Sequence, residues 1–151
     1  HRSGPWRLRL FVPPAGVATH ENDHSLVVTL ERDGALAMVW SGDLEKGGEA
    51  ALLAAGFPGG PALVWKAGHH GSATSGSAPW LERLAPALVV VSCGVDNRYG
   101  HPSHPPYLTA AGRRPVLVRT DLDGTIVLTW GPDGGVTWES QAGRGRLAGS
   151  P

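Results

Sequence analysis

The sequence predicts an α/β fold, a strand-rich α+β sandwich with short helices inserted after strands. Three observations predict it. Apolar runs of strand length, rich in Val and Leu, recur along the chain, some alternating and some continuous. Helix-like runs follow directly on such strands instead of gathering at one end. Gly 22 and Pro 13 are both high, which cuts the 151 residues into short elements joined by tight turns. The length suits one domain, and an apolar fraction of 41% against 17% charged residues excludes a disordered chain.

In chain order, LRLFV (8–12) is a short strand halted by Pro13-Pro14. SLVVTLE (25–31) alternates, with Leu26, Val28 and Leu30 on one face, and ALAMVW (35–40) follows after Asp33-Gly34. Two strands across an Asp-Gly turn form a hairpin. EKGGEAALLAAG (45–56) reads as a helix closed by Gly56. ALVWKAG (62–68) is a strand that runs into HHGSATSGS, and APWLERLAP (78–86) is a helix stopped by Pro86. ALVVVSCG (87–94) is apolar throughout, the mark of a strand covered on both faces. The loop VDNRYGHPSHPP leads to a short helix at LTAAG (108–112), and PVLVRT, TIVLTW and VTWE supply three closing strands. The domain is drawn over 1–138, with 139–151 as a flexible, frayed tail.

Charge and cysteine content narrow the classes. Lys+Arg 13 balance Asp+Glu 13, so no global field draws the chain to nucleic acid, although a local basic patch is compatible with this. The single Cys93 excludes an internal disulfide framework and a cysteine-rich zinc site. Ending an apolar strand, it reads as a small buried residue in preference to a reactive thiol. No run approaches the roughly 18–20 apolar residues of a membrane span. The chain opens HRSGPW without a methionine and is read as a piece of a longer protein.

HENDH (20–24) matches the HExxH pair of zinc peptidases, which needs a helix to bring both imidazoles to one metal. PPAG upstream and the β-branched SLVVTLE downstream leave no room for that helix, so the segment reads as a polar loop entering a strand. Three other blocks carry chemistry. In WSGDLE, Asp43 sits on a tight turn at a strand end, where a carboxylate is a hard metal ligand or, equally, a helix N-cap with Glu45 in the first turn. In WKAGHHGSATS, adjacent His69 and His70 leave a strand in different directions, so one can ligate metal while the other bonds substrate. Ser72, Thr74 and Ser75 offer hydroxyls to phosphate oxygens or to the next helix. In NRYGHP, Asn97, Arg98, Tyr99 and His101 place a cation, an aromatic ring and an imidazole within one loop, a set able to grip a phosphate and stack on a base. The alternatives, an exposed histidine pair and a rigid proline turn with a buried tyrosine, stay open at this point. Trp80 and Tyr99 are the two aromatic candidates for base stacking.

NDHSLVVTLERDG, SGDLE, VWKAGHHGSATSGS, VVVSCGVDNRYGHP and RTDLDGTIVLTW, in that order, resemble the C-terminal part of the ComEC family of bacterial DNA-internalisation competence proteins. The resemblance runs from about residue 8 to residue 130 and implies the C-terminal half of a metallo-β-lactamase-like αββα domain. It further implies a nuclease working with divalent metal ions, Mn²⁺ or Zn²⁺, two in an intact domain. The implied partners are DNA, the membrane-embedded remainder of the same protein and the competence DNA-uptake machinery, with the parent protein in the bacterial cell membrane. By motif, Asp43 takes the metal-bridging position, His69 or His70 the last histidine ligand, and Asn22 a position often held by a histidine ligand. Asp43 and His70 are the implied catalytic pair, with Lys66, Ser72 and Arg98 as phosphate contacts.

The chain departs from that pattern in one respect. The HxHxDH cluster of the superfamily is absent, since histidines 1, 20, 24, 69, 70, 101 and 104 do not provide its spacing. The implied half-fold leaves a sheet edge and one core face uncovered, and the fragment alone is expected to be inactive. Two other readings fit the same residues: a hydrolase of this fold with another substrate, or a degenerate non-catalytic interaction module.

Overall fold

The computed structural model describes residues 2–16, 20–103 and 114–149. At its centre is a seven-stranded mixed sheet in which chain order is also spatial order. The strands are β1 (Arg2–Ser3), β2 (Trp6–Phe11), β3 (Val27–Arg32), β4 (Ala35–Trp40), β5 (Val64–Lys66), β6 (Leu88–Val91) and β7 (Val116–Arg119). β1 to β4 are joined antiparallel, and β4 to β7 run parallel. Parallel neighbours need crossovers. Helix α1 (Lys46–Ala54) lies between β4 and β5, and α2 (Ala78–Leu84) between β5 and β6. A one-turn helix α3 (Thr120–Asp123) follows β7, after which β8 (Val127–Trp130), β9 (Val136–Glu139) and β10 (Arg144–Leu147) form a separate antiparallel sheet.

The expected hairpin is β3–β4. Arg32 pairs with Ala35 across Asp33 and Gly34, whose φ angles of 51° and 90° are both positive. That two-residue turn matches the right-handed twist of its strands, and Gly34 takes the positive φ without strain. α1 ends as read, with Gly56 at φ 81° just past it and Phe57 N–H returning to Leu52 O at 2.9 Å.

The two faces of the central sheet bury different partners. Val27, Val39, Trp65, Val89 and Val91 face the helices and meet Leu52, Phe57, Trp80, Leu81 and Leu84. Met38, Val64, Leu88, Val90 and Val118 face the small sheet and meet Val136, with Leu128, Trp130, Trp138 and Leu147 packed at the margin. The layers are therefore helices, mixed sheet and small sheet. β6 supplies both cores by alternation, which is why its run is apolar without a break.

Four expectations are corrected. The enclosed face of β3 carries Val27, Thr29 and Glu31, while Leu26 precedes the strand and is exposed. Glu31 is tolerated there because Arg7 (3.8 Å) and Arg9 (3.3 Å) of β2 reach its carboxylate. Trp80 is fully buried with its ring 4.8 Å from Phe57, so it is core and not a stacking surface. Residues 144–147 are not a frayed tail but the strand β10, paired along its length with β9. The strand expected over 62–68 is confined to Val64–Lys66, and Gly68–Gly71 forms a separate 3₁₀ turn beyond it. The helix expected at 108–112 lies outside the described residues.

Leu8, Leu10, Val12 and Leu26 are 40, 59, 56 and 46% exposed, an apolar group around β2 and the entry to β3. Among the described residues no helix is long and apolar enough to cross a membrane.

Candidate active site

Because β4, β5 and β6 run parallel, their carboxyl ends share one edge, the usual place for ligands in such sheets. β4 leaves into Ser41, Gly42 and Asp43, β5 into the 3₁₀ turn Gly68–Gly71, and β6 into the loop that carries residues 97–101. His69 N–H donates to Gly42 O at 3.0 Å and Ser103 N–H to Gly71 O at 3.0 Å, so the three exits are stitched together. His69 (φ 45°, ψ 47°) and His70 (φ 54°, ψ 23°) are both in the left-handed region. Each such non-glycine residue costs about 1–2 kcal/mol, and such strain persists where surrounding contacts fix it. The consecutive left-handed turns explain how two neighbouring imidazoles reach separate carboxylates.

His70 Nδ1 lies 2.8 Å from Ser92 O. A carbonyl only accepts, so Nδ1 carries the proton. His70 Nε2 stands 3.6 Å from Asp43 Oδ1, with both side chains about half exposed. Nε2 and Oδ1 thus present two lone-pair atoms to one solvent-open gap, a donor set that a divalent cation can share. Two ligands on one tetrahedral zinc stand about 3.4 Å apart, so the spacing suits a shared divalent ion. The backbone-carbonyl lock on Nδ1 is the usual support of a metal-binding imidazole. The pair thus fits part of a metal site. Among the described residues, no group of three or more His, Cys, Asp and Glu side chains is arranged to hold an ion.

The NDHS block acts through its supports. Glu21–His24 is a single 3₁₀ turn, so HENDH forms no metal-binding helix. Asn22 Nδ2 donates to Glu45 Oε1 at 3.3 Å, buried Asp23 Oδ1 accepts from Gly48 N–H at 2.8 Å, and Ser25 Oγ accepts from Asp43 N–H at 3.2 Å. All three hold the segment bearing Asp43 and Glu45. The N-cap position of α1 falls on Glu45, not Asp43, and its side chain makes no capping bond. The capping alternative for Asp43 therefore fails.

The remaining candidates divide. Lys66, at the end of β5, is mostly enclosed, and burial lowers its pKa while the nearby Asp43 carboxylate raises it. Ser72 is 7% exposed and bonded to Thr74 Oγ1 at 2.9 Å, which makes it part of the loop's internal network. Asn97 donates to Gly94 O (3.0 Å) and His101 O (2.7 Å) and accepts from His101 N–H (2.9 Å), so its amide clamps the loop. That clamp presents Tyr99 and His101, stacked at 5.7 Å with an interplanar angle of 17°. Arg98 lies over the Tyr99 ring at 4.7 Å, and its guanidinium bonds the tyrosine hydroxyl. Tyr99 is 64% exposed, so the alternative of a buried tyrosine is corrected. His101 stands 5.7 Å from His69, and its pKa is lowered by burial and then by the charges of His69 and His70. The structure thus brings Asp43, His69, His70 and His101 to one edge, with Lys66 in the field of Asp43. Ser92 and the central role of Glu45 escape sequence reading, while Thr74, expected to offer its hydroxyl to phosphate or to the next helix, donates it to Glu45 instead. Glu45 lies inside the quoted SGDLE block, but nothing in its spacing points to His69.

No family model matches the chain. It is 39% identical over 121 residues to ComE operon protein 3 of Bacillus subtilis (strain 168), covering 80% of this chain and 15% of that protein. Competence protein ComA of Neisseria gonorrhoeae is 35% identical over 116 residues, 76% of this chain and 16% of that one. The uncharacterized protein YcaI of Escherichia coli (strain K12) is 30% identical over 92 residues, 61% of this chain and 12% of that one. The chain therefore spans a small part of the length of the curated relatives it matches. The likeness to ComE operon protein 3 and to Competence protein ComA supports a competence-related family for this chain.

Proposed function

We propose that the chain is part of a metal-dependent hydrolase centre of the nuclease or phosphodiesterase type, within a ComEC-like protein that acts in DNA uptake during natural transformation. The carrying observation is the Asp43–His70 pair, 3.6 Å apart with His70 Nδ1 locked on Ser92 O. The similarity to proteins named for competence supports the biological half of the reading. In this reading Asp43 and His70 hold one side of the ion shell, and His69 stands beside them. A divalent ion held there would supply Lewis-acid chemistry, activating water and offsetting charge on a phosphodiester.

The chain's own groups do the rest. Lys66 brings a cation beside Asp43, and in this reading Arg98 and Tyr99, exposed and stacked on each other, would turn to a phosphate and a base. Asn97 acts indirectly by shaping their loop, and Ser72 by bonding Thr74. Asn22 acts through Glu45, since its amide is turned to that carboxylate. The partners in this reading are DNA, the membrane-embedded remainder of the protein and the uptake machinery.

The test is Mn²⁺ titration followed by electron paramagnetic resonance on the purified chain. The chain carries no stoichiometric metal as isolated, and added Mn²⁺ binds weakly through two side chains. Asp43→Ala and His70→Ala each abolish that binding. Equal Mn²⁺ uptake by the parent chain and both variants removes the metal assignment and leaves a non-catalytic module.

A further inference from the structure

We infer that Glu45 is a positioning residue that fixes His69 in its Nδ1–H tautomer, leaving Nε2 as the lone-pair nitrogen of that ring. Three donors from separate segments converge on one oxygen, Glu45 Oε1. They are Asn22 Nδ2 at 3.3 Å, Thr74 Oγ1 at 3.1 Å and His69 Nδ1 at 3.0 Å. The Glu45 side chain is 15% exposed and that of His69 27%, so water competes weakly for these bonds.

The proton positions follow from what each group can do. A carboxylate only accepts, so His69 Nδ1 must carry a hydrogen to sit at 3.0 Å. Thr74 spends its one hydroxyl hydrogen on Glu45. It therefore has none left for His69 Nδ1 at 3.4 Å, and Ser72 must be the donor in the 2.9 Å bond to Thr74. Ser72 Oγ in turn accepts from Thr74 N–H at 3.3 Å. The network has one direction, from Ser72 through Thr74 to Glu45, and His69 joins it only as a donor. His70 is locked in the same sense by Ser92 O. Both members of the histidine pair thus turn Nδ1 inward to a fixed oxygen and keep Nε2 for other use.

The tautomer stands on this geometry alone; the role of the free His69 Nε2 as a ligand or base at the Asp43–His70 centre rests on the hydrolase reading above. The test is ¹⁵N–¹H correlation of the imidazole nitrogens in the metal-free chain, at about pH 8 where histidines are mostly neutral. His69 shows the Nδ1–H form in the parent chain. Glu45→Ala loses that form, whereas Glu45→Gln, whose amide oxygen still accepts, retains it. His70 keeps its own tautomer in both variants, which reports that the turn is intact. An Nε2–H signal for His69 in the parent chain overturns the inference, as does an unchanged His69 spectrum in Glu45→Ala. No metal or substrate is present, so this result and the Mn²⁺ titration fail independently.

Discussion

Cys93 shows how neighbours decide what one residue can do. Its thiol donates to Asp121 Oδ1 at 3.2 Å, and Asp121 is held by Arg119 Nη2 at 2.6 Å. Thr120 Oγ1 brackets the same peptide, accepting from Cys93 N–H at 2.9 Å and donating to Cys93 O at 2.7 Å. Burial pushes the thiol up first, and the hydrogen bond and charge of Asp121 add to it, from 9.0 to about 11. Thiolate at pH 8 is then about 100-fold scarcer than for an ordinary cysteine, and thiolate is the reactive form. Iodoacetamide should therefore alkylate the folded chain at pH 8 about 100-fold more slowly than the denatured chain. The rate should climb with pH until about 11. Asp121→Asn removes the acceptor charge and should speed the reaction at pH 8. The stability sign follows: the folded state holds this proton more tightly, so its contribution is complete below pH 9.0 and is lost as pH rises toward 11. Mass spectrometry of timed samples checks the rates, and equal rates for folded and denatured chains would refute the assignment.

At the scale of elements, α1 is shaped by its supports more than by its propensity. Gly47 and Gly48 lie in its first turn, where alanine usually gains about 1 kcal/mol over glycine. At Gly48 that gain is overruled. A Cβ there would stand 2.4 Å from Leu44 Cδ1 and 3.0 Å from Asp23 Oδ1, and both side chains are fully buried. Overpacking of this kind costs about 1–3 kcal/mol, so Gly48→Ala should destabilise by about 1–2 kcal/mol in urea denaturation. A gain in stability would show that Leu44 gives way freely. Legibility follows the same division. The β3–β4 hairpin was readable because Asp33-Gly34 supplies two positive φ angles locally, and β6 because its apolar run has no polar face. β10 was not. RGRL has the composition of a tail, and it becomes a strand because β9 pairs with it and Trp138 lies over Gly145, where a Cβ would come within 2.6 Å of the ring. Asp43, His69 and His70 were legible as strand-end residues. Glu45 was not, because its three donors come from residues 22, 69 and 74 and meet only through folding.

The whole molecule depends on how the small sheet is fastened to the mixed one. Apolar contact supplies most of the adhesion, through Met38, Val64 and Leu88 against Val136 and its neighbours. The orientation has a more specific anchor. Arg32, at the end of β3, donates its guanidinium to Gly131 O and Pro132 O in the β8–β9 turn, about 100 positions along the chain. The same guanidinium lies 5.3 Å from the Trp6 ring, which meets Trp130 edge-on at 6.4 Å. With its side chain 19% exposed, Arg32 works largely out of water, where hydrogen bonds from a charged donor contribute about 1.5–3 kcal/mol each at most. Arg32→Ala should therefore lower stability by about 2 kcal/mol with an unchanged denaturant slope. Arg32→Lys should recover little of it, since one ammonium cannot reproduce the planar two-carbonyl fork or the stacking on Trp6. The control lies a few residues away. Asp133 pairs with Arg146, but both side chains are more than half exposed, and such surface pairs contribute under about 1 kcal/mol. Asp133→Ala should thus cost clearly less than Arg32→Ala. If urea midpoints show the two substitutions to be equal, the fork is not what aligns the sheets, and the apolar cluster alone must do so.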